Sequence, residues 1–417
     1  MSNSGKVTSP ATGGGLRKAD PSGHIAPVLL AFLTTAGLFY VNIMPALVSG
    51  LVEGLGFSKA TAGYVASANV YGASLGALVT VFLIKYLNWK KAAAVALVGL
   101  IVMDIASTVQ TDGTVLIAMR FAHGAIGGFL VGIGFSVIAR TPAPDRTFGM
   151  LLVVQYGLGG VGLMTLPKLV PLYGTSVLFI ALMAFSAITL VMLPFLAPYP
   201  AKEKTVMEAQ KDGTGPYFKP LVLALLAVFC FQAANMGLAA YVIELGKGEG
   251  LTTNSISTTL GIANWISVAG AVFVYVIGLR NGRLKPLLLG LSVTLVGMFL
   301  FRFSGNASLF FAANVITGIT WAFLIPYLLG MCAAFDGKGQ MAALSGFFSK
   351  MGLASGPFVA ALVIGEGNYT LLINLALMGI VLCIAAAFMP ARLLDSKADA
   401  GPRAAPIPPQ AAAEVIE

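Results

Sequence analysis

The chain alternates between long apolar blocks and short polar connections over most of its length. Each block approaches the roughly 20 residues that a helix needs to cross about 30 Å of hydrocarbon. Such blocks are too long for barrel strands, and helices satisfy their own backbone hydrogen bonds within lipid. The pattern predicts an all-α membrane protein with twelve transmembrane helices, at residues 26–49, 60–84, 91–110, 113–139, 147–171, 175–198, 220–244, 253–278, 286–304, 307–333, 341–365 and 370–390.

The composition agrees with a membrane location. Hydrophobic residues make up 58% of the 417 residues and charged residues only 10%, whereas soluble domains carry about 25% charged residues. A soluble globule must present a polar exterior, so we expect the helix surfaces to contact a lipid bilayer. Residues 1–25 are polar, and no cleavable signal peptide is expected there.

The net charge of +9 is explained by its distribution along the chain. If the amino terminus is cytoplasmic, most of the 25 lysine and arginine residues fall in tails and connections on that same side. The opposite side holds Lys59, Lys168, Lys247 and Arg302. This asymmetry follows the positive-inside rule. We therefore expect a multi-pass protein of a bacterial-type inner membrane, with both termini cytoplasmic and no nucleic-acid partner.

The second half of the chain repeats features of the first at an offset near 195 residues. The matched pairs are Ala68-Asn69 with Ala263-Asn264, Lys90 with Lys285, Arg120 with Asn314, and Gln155 with Lys350. A parallel duplication of six-span halves places the binding site of many transporters at the interface of the repeats. The predicted organisation is a tail (1–25), a six-helix bundle (26–198), a linker (199–219), a second six-helix bundle (220–392) and a second tail (393–417).

Two segments point to a known family. The fourth span contains Arg120-Phe121-Ala122-His123-Gly124, and the loop after the second span ends in the basic pair Lys90-Lys91. Together with the repeat, these segments resemble the major facilitator superfamily and its Arg-x-x-Gln-Gly motif, with His123 in place of Gln. The family's basic loop also carries an acidic residue, and Lys85 stands at that position. The resemblance implies a transporter working by alternating access.

Ionisable side chains within the bilayer are costly and are therefore functional candidates. Arg120 and Lys350 could each bind an acidic group of a substrate. The alternative for Arg120 is a structural ion pair with Asp104, and the alternative for Lys350 is a polar neighbour. Gln155, which matches Lys350 in the repeat, is expected to face the same cavity.

Polar and aromatic side chains of the central spans are further candidates for binding a small ligand. They are Tyr40, Asn42, Asn69, Tyr71, Gln232, Asn235, Asn264, Trp265, Asn314 and Trp321. Interhelical hydrogen bonding and packing are the alternative. His123, Asp104 and Glu244 are candidates for proton coupling, because histidine changes charge near neutral pH and the two carboxylates could lie at membrane depth.

These residues predict a secondary active transporter that moves a small organic solute, driven by protons or another coupling ion. An organic anion such as a carboxylate is favoured, because the first span contains no carboxylate that could bind a cation. The alternatives are efflux of hydrophobic drugs or metabolites and, from another class, a membrane enzyme or receptor. We expect a monomer with no catalytic residue, cofactor or metal site, since the histidines and cysteines are scattered.

Overall fold

The computed structural model describes residues 18–200, 218–278, 282–335, 340–365 and 367–399, without the side chains of 145, 275–276, 340–343 and 397–399. The predicted tails and linker lie largely outside these ranges. The described chain forms α1 (Ile25–Asn42), α2 (Met44–Leu55), α3 (Lys59–Leu83), α4 (Trp89–Thr108), α5 (Gly113–Ile138), α6 (Pro144–Tyr173), α7 (Ser176–Met192), α8 (Phe218–Ala240), α9 (Val242–Gly248), α10 (Thr253–Ile277), α11 (Leu284–Leu300), α12 (Ala307–Ala333), α13 (Gln340–Ile364) and α14 (Tyr369–Asp399).

The prediction of twelve membrane-spanning helices is confirmed. Twelve helices of the described chain are long and apolar enough to cross a bilayer, and α2 and α9 are the two shorter ones. Large apolar side chains such as Val95 and Val191, which are 73% and 70% exposed, cover the outside of the bundle. Such a surface is stable only in contact with lipid.

The first and seventh predicted spans are each divided near one end. Ile43 (φ −109°, ψ 13°) separates α1 from α2, and Tyr241 (φ −111°, ψ 10°) separates α8 from α9. Pro45 lies in the first turn of α2, where its missing N–H is tolerated. The break in α8–α9 has nearly the same backbone angles without a proline. Hydropathy treats each segment as one block because a backbone kink leaves the apolar pattern unchanged.

Glycine allows α3 and α5 to approach until their backbones touch. A Cβ atom on Gly72 would clash with the carbonyl oxygen of Phe121, and one on Gly124 would clash with the carbonyl oxygen of Asn69. The same interdigitation continues one turn further at Gly76. Small residues at helix interfaces permit this close packing within a membrane.

The two halves meet along two seams, α3 with α13 and α6 with α10. We call the face with the connections 84–88 and 139–143 the basic side and the face with the connections 56–58 and 249–252 the opposite side. The α3/α13 seam contains the hydrogen bond from Tyr71 to Ser355, at 2.9 Å. The seams bring the middle of each half together, as the repeat predicts.

The helix α14 continues beyond residue 392, where the second bundle was predicted to end. Its last turns carry Asp395, whose carboxylate accepts the backbone N–H groups of Arg283 and Leu284 at 2.8 and 2.9 Å. These N–H groups belong to the first turn of α11 and lack partners within that helix. The polar extension therefore fastens the start of α11 on the basic side.

Candidate functional site

Arg120 lies in a closed polar cluster inside the first half. Its Nη1 donates to Asp104 Oδ1 at 2.8 Å, and both side chains are fully buried. Its Nη2 donates to the carbonyl of Met103 at 3.0 Å and to the hydroxyl of Ser107. The guanidinium also lies over the ring of Phe179. The structure thus places Arg120 in the ion pair with Asp104 that the sequence offered as the alternative to substrate binding.

His123 joins the same cluster through both ring nitrogens. Asn69 Nδ2 donates to the carbonyl of Arg120 at 3.2 Å, which fixes its amide orientation, and lies 2.8 Å from His123 Nδ1. Because Nδ1 must accept this hydrogen bond, the neutral ring carries its proton on Nε2. That nitrogen lies 3.3 Å from Asp104 Oδ1. The ring of Tyr40 is 5.9 Å away, so α1, α3, α4 and α5 all contribute to the cluster.

A second group of candidates lies where α6 meets α10. Asn264 Nδ2 donates to the carbonyl of Tyr156 at 2.8 Å, and Trp265 Nε1 donates to the carbonyl of Gly157 at 3.0 Å. These bonds join the two halves through the middle of both helices. Two predicted binding side chains therefore interact with backbone atoms of the opposing half.

Asn42 and Gln155 adjoin this crossing. Gly159 shows that Asn42 lies at the crossing, because a Cβ built on Gly159 would lie 3.3 Å from Asn42 Cβ and 3.1 Å from Asn264 Nδ2. Gln155 precedes Gly159 by one helical turn and lies on nearly the same face. In the described part of the chain, Asn42 Nδ2 and Gln155 Nε2 are buried donors without a hydrogen-bond acceptor. An unsatisfied buried donor costs about 1–3 kcal/mol, so this region is suited to bind acceptor atoms of a ligand.

In the second half, Gln232 connects three helices. Its Nε2 donates to Ser349 Oγ and its Oε1 accepts from Trp321 Nε1, both at 2.7 Å. Lys350 follows Ser349 and is 9% exposed. Adjacent helical residues point about 100° apart, so Lys350 lies on a different face of α13 from Ser349. Asn235 donates to the carbonyl of Phe231 within its own helix.

Glu244 lies apart from these three groups, on the opposite side. Its Oε1 accepts from Ser49 Oγ at 2.7 Å and lies 3.5 Å from Lys247 Nζ. Lys247 also pairs with Glu53 at 2.8 Å. The sequence candidates did not include Ser49, Glu53 and Lys247. One available signal was spacing, because Ser49 and Glu244 are separated by 195 residues, the offset of the repeat.

An apolar groove of about 770 Å³ opens along the α3/α13 seam. Leu75, Leu78 and Phe121 on its wall are each more than 40% exposed, and Phe347 and Met351 close it from α13. Its lining is almost wholly hydrocarbon, and of the predicted binding residues it includes Tyr71. The groove is therefore distinct from the polar region between α1, α6 and α10.

Twelve apolar helices in two related halves, meeting around buried amides, define a multi-pass membrane transporter for a small solute. The sequence model of the Major Facilitator Superfamily matches residues 28–361, and the chain belongs to that family. It is accordingly a transporter and not an enzyme.

Solved structures share this fold. The nucleoside transporter NupG is 16% identical, with a TM-score of 0.65 over 88% of this chain and 98% of NupG. A point mutant of NupG is 14% identical, with a TM-score of 0.63 over 89% of this chain and 98% of the mutant. Identities this low establish the fold alone. A sequence comparison with curated proteins finds no match.

Proposed function

We propose that this transporter moves a small organic anion, such as a carboxylate, by alternating access across a bacterial-type inner membrane. The basic side lies in the cytoplasm in this proposal, following the distribution of lysine and arginine. The observation that carries the proposal is the pair of buried amide donors, Asn42 Nδ2 and Gln155 Nε2, which have no acceptor in the described chain. A carboxylate supplies two oxygen acceptors for such donors.

The placement of charge supports an anion over a cation. Lys350 is the residue of the second half that matches Gln155, so the repeat relates it to the donor region of the first half. Among the described residues, the carboxylates of Asp104 and Glu244 are already engaged by Arg120 and Ser49. A cation would therefore meet the amide donors of Asn42 and Gln155, whereas an anion would be stabilised by them.

Other candidates support the site indirectly in this proposal. Asn264 and Trp265 hold the α6/α10 seam closed, and their bonds to backbone carbonyls must break if that seam opens. Gln232, held by Trp321, fixes α13 at Ser349, which is the residue before Lys350. Arg120 is buried in its ion pair with Asp104, so in this proposal it holds helices of the first half together and does not contact the substrate.

We propose that protons are the coupling ion and that the His123–Asp104 pair is the coupling site. Protonation of His123 at Nδ1 would replace the hydrogen bond from Asn69 and strengthen the interaction with Asp104. The substitution His123→Gln places the residue of the family motif here and retains hydrogen bonding without titration. Uptake by this variant is expected to lose its dependence on a pH gradient. Retained gradient dependence would exclude His123 as the coupling group.

Nucleosides are the second candidate substrate class. The structural neighbours are nucleoside transporters, and Trp265, which is 43% exposed, offers an aromatic surface beside the amides of Asn42 and Asn264. Amide groups hydrogen-bond a neutral base as readily as a carboxylate. The two substrate classes differ in their need for the charge of Lys350.

The test is ligand binding by purified protein, measured as a rise in unfolding temperature with carboxylates and with nucleosides. For a carboxylate, Lys350→Met is expected to weaken binding about tenfold or more, and Asn42→Ala to weaken it several-fold. Lys219→Met is the control, since this lysine is exposed in the first turn of α8, on the basic side. Unchanged carboxylate binding by Lys350→Met would refute the anion site, and nucleoside binding alone would establish the second candidate.

A further inference from the structure

The inference concerns the apolar groove along the α3/α13 seam, which the proposed transport site does not use. Its floor is formed by three small side chains of α3, Ser67, Ala68 and Ser74, which are all buried. Large side chains flank this floor, including Phe121 of α5 and Phe358 of α13. The groove therefore exists because α3 carries small residues between two helices that carry aromatic ones.

The walls of the groove belong to the lipid-facing surface of the bundle. Leu75, Leu78, Phe121 and Phe358 are all between 40% and 46% exposed. The exposed face of α13 continues one turn beyond Phe358 at Leu362, which is 60% exposed. Large apolar side chains exposed side by side are stable in contact with hydrocarbon. The groove therefore opens sideways toward the bilayer.

The length of the groove suits an acyl chain. Its lining on α3 begins at Tyr64 and ends at Leu78, 14 residues later, which is about 21 Å at 1.5 Å per residue. The hydrocarbon of one leaflet is about 15 Å deep, half of the bilayer's 30 Å. An acyl chain that enters from the basic side can therefore lie lengthwise in the groove across its whole leaflet.

Residues seven apart on α3 continue the face of the groove toward the basic side. Tyr64, Tyr71 and Leu78 line the groove at this interval, and a straight helix drifts by only about 20° over seven residues. The backbone remains in hydrogen-bonded turns just past the end of α3. The next residue at the same interval is Lys85, which is about 10 Å from Leu78 along the helix axis. Lys85 therefore lies at the basic end of the groove.

The charge of Lys85 is available to a ligand from outside the chain. Its side chain is exposed, and its Nζ lies 4.7 Å from the centre of the Tyr86 ring. The four ion pairs of the described chain do not include Lys85. A lysine and a tyrosine at the end of an apolar stripe are typical of the depth at which lipid headgroups lie. The ammonium can donate hydrogen bonds to phosphate oxygens there.

The single positive charge favours a lipid whose headgroup is negative overall. In phosphatidylcholine, the ammonium of the headgroup already compensates the phosphate. The phosphate of phosphatidylglycerol has no such partner within its own molecule. An ammonium at Lys85 therefore discriminates between these two lipids, although their acyl chains fit the groove equally well.

We propose that a phospholipid with an anionic headgroup binds this groove from the basic side, with its phosphate at Lys85 and an acyl chain between α3, α5 and α13. The acyl chain contacts both halves of the transporter, because α3 and α5 belong to the first half and α13 to the second. The inference goes beyond the proposed function and does not depend on the substrate, since the groove and the amides of Asn42 and Gln155 are separate.

The first experiment is native mass spectrometry of the full-length protein, released from micelles that contain equal amounts of phosphatidylglycerol and phosphatidylcholine with identical acyl chains. The parent is expected to retain phosphatidylglycerol about fivefold more often than phosphatidylcholine, and Lys85→Gln to reduce this ratio to near one. Lys91→Gln is the matched control, because this lysine is exposed on the same side but lies at the start of α4. It is expected to leave the ratio unchanged.

The second experiment fills the groove. Ala68→Leu places a larger side chain on the floor and is expected to lower the retention of both lipids about fivefold, without changing their ratio. Ala184→Leu makes the same substitution at an exposed position of α7 and is expected to retain both lipids as the parent does. The unfolding temperature of each variant shows whether it is folded. Lys85→Gln changes only an exposed side chain, so it tests the site even if Ala68→Leu unfolds.

Equal retention of the two lipids by the parent would overturn the anionic headgroup. A ratio unchanged in Lys85→Gln, or changed equally in Lys91→Gln, would overturn the placement of the phosphate at Lys85. Unchanged retention by folded Ala68→Leu would overturn the groove as the site of the acyl chain. A dimer that only Ala68→Leu dissociates would show that the groove binds a second copy of this chain instead of a lipid.

Discussion

The buried pair of Asp104 and Arg120 allows a prediction of stability from geometry. Asp104→Ala would leave the guanidinium of Arg120 fully buried, with only neutral acceptors at Met103 and Ser107. Arg120 Nε already has no acceptor in the described chain. Removing one partner of a buried ion pair costs about 3–5 kcal/mol, because the remaining charge loses its compensation.

The value expected here is near the lower limit, about 3 kcal/mol, because two neutral acceptors and the ring of Phe179 still contact Arg120. Ser107→Ala removes one hydrogen bond and leaves the ion pair, so it should cost about 1 kcal/mol. Asp112→Ala removes an exposed N-cap carboxylate and is the acidic control, with a cost of about 1 kcal/mol.

The assay is reversible unfolding in mixed micelles, followed by far-ultraviolet circular dichroism. The double variant Asp104→Ala with Arg120→Met removes both charges and is expected to recover most of the loss, since no unpaired charge remains buried. A free energy of unfolding for Asp104→Ala within about 0.5 kcal/mol of the parent would refute the reasoning. A double variant less stable than the single one would show that packing, rather than charge, dominates.

Two further predictions concern packing and helix ends. Gly124→Ala should lower the free energy of unfolding by about 1–3 kcal/mol, because its Cβ would overlap the carbonyl of Asn69; Gly157→Ala, which has open space, is the matched control, and equal effects would contradict the close contact. Asp395→Ala should destabilise the start of α11 by about 1 kcal/mol and speed hydrogen exchange at the N–H groups of Arg283 and Leu284. Unchanged exchange there would show that these groups are protected without the carboxylate.

Much of the fold can be predicted from the sequence because the bilayer imposes a simple rule. Segments of about 20 apolar residues must cross hydrocarbon as helices, so the number of spans follows from counting. The break at Ile43 was not predicted, although Pro45 marks it. The matching break at Tyr241 has no proline, and nothing in the local pattern distinguishes it.

The candidate site was predictable by residue type and only partly by role. Asn42, Gln155 and Asn264 were chosen as polar residues in apolar spans, and the structure brings their helices together at the α6/α10 crossing. Arg120 was chosen for the same reason, yet its charge is paired with Asp104 inside the first half. The cost of a buried charge indicates that it has a partner, without indicating whether the partner is substrate or protein.

The contact between Ser49 and Glu244 shows where sequence information ends. Ser49 and Glu53 are ordinary polar residues near a helix end, and alone they suggest only exposure to solvent. Their importance arises because the duplication places Ser49 opposite Glu244, across the boundary of the halves. That contact depends on how the two bundles are tilted, which local pattern does not encode.

By itself, the sequence determined the membrane class, the twelve helices and the duplication, since each follows from hydropathy and spacing along the chain. The tertiary structure decided which polar groups satisfy one another. Among the described residues, it paired Arg120 with Asp104, left the amide nitrogens of Asn42 and Gln155 without acceptors, and joined the halves on the opposite side. The physical reason is that lipid constrains every helix alike, whereas hydrogen bonds depend on distances between helices far apart in the chain.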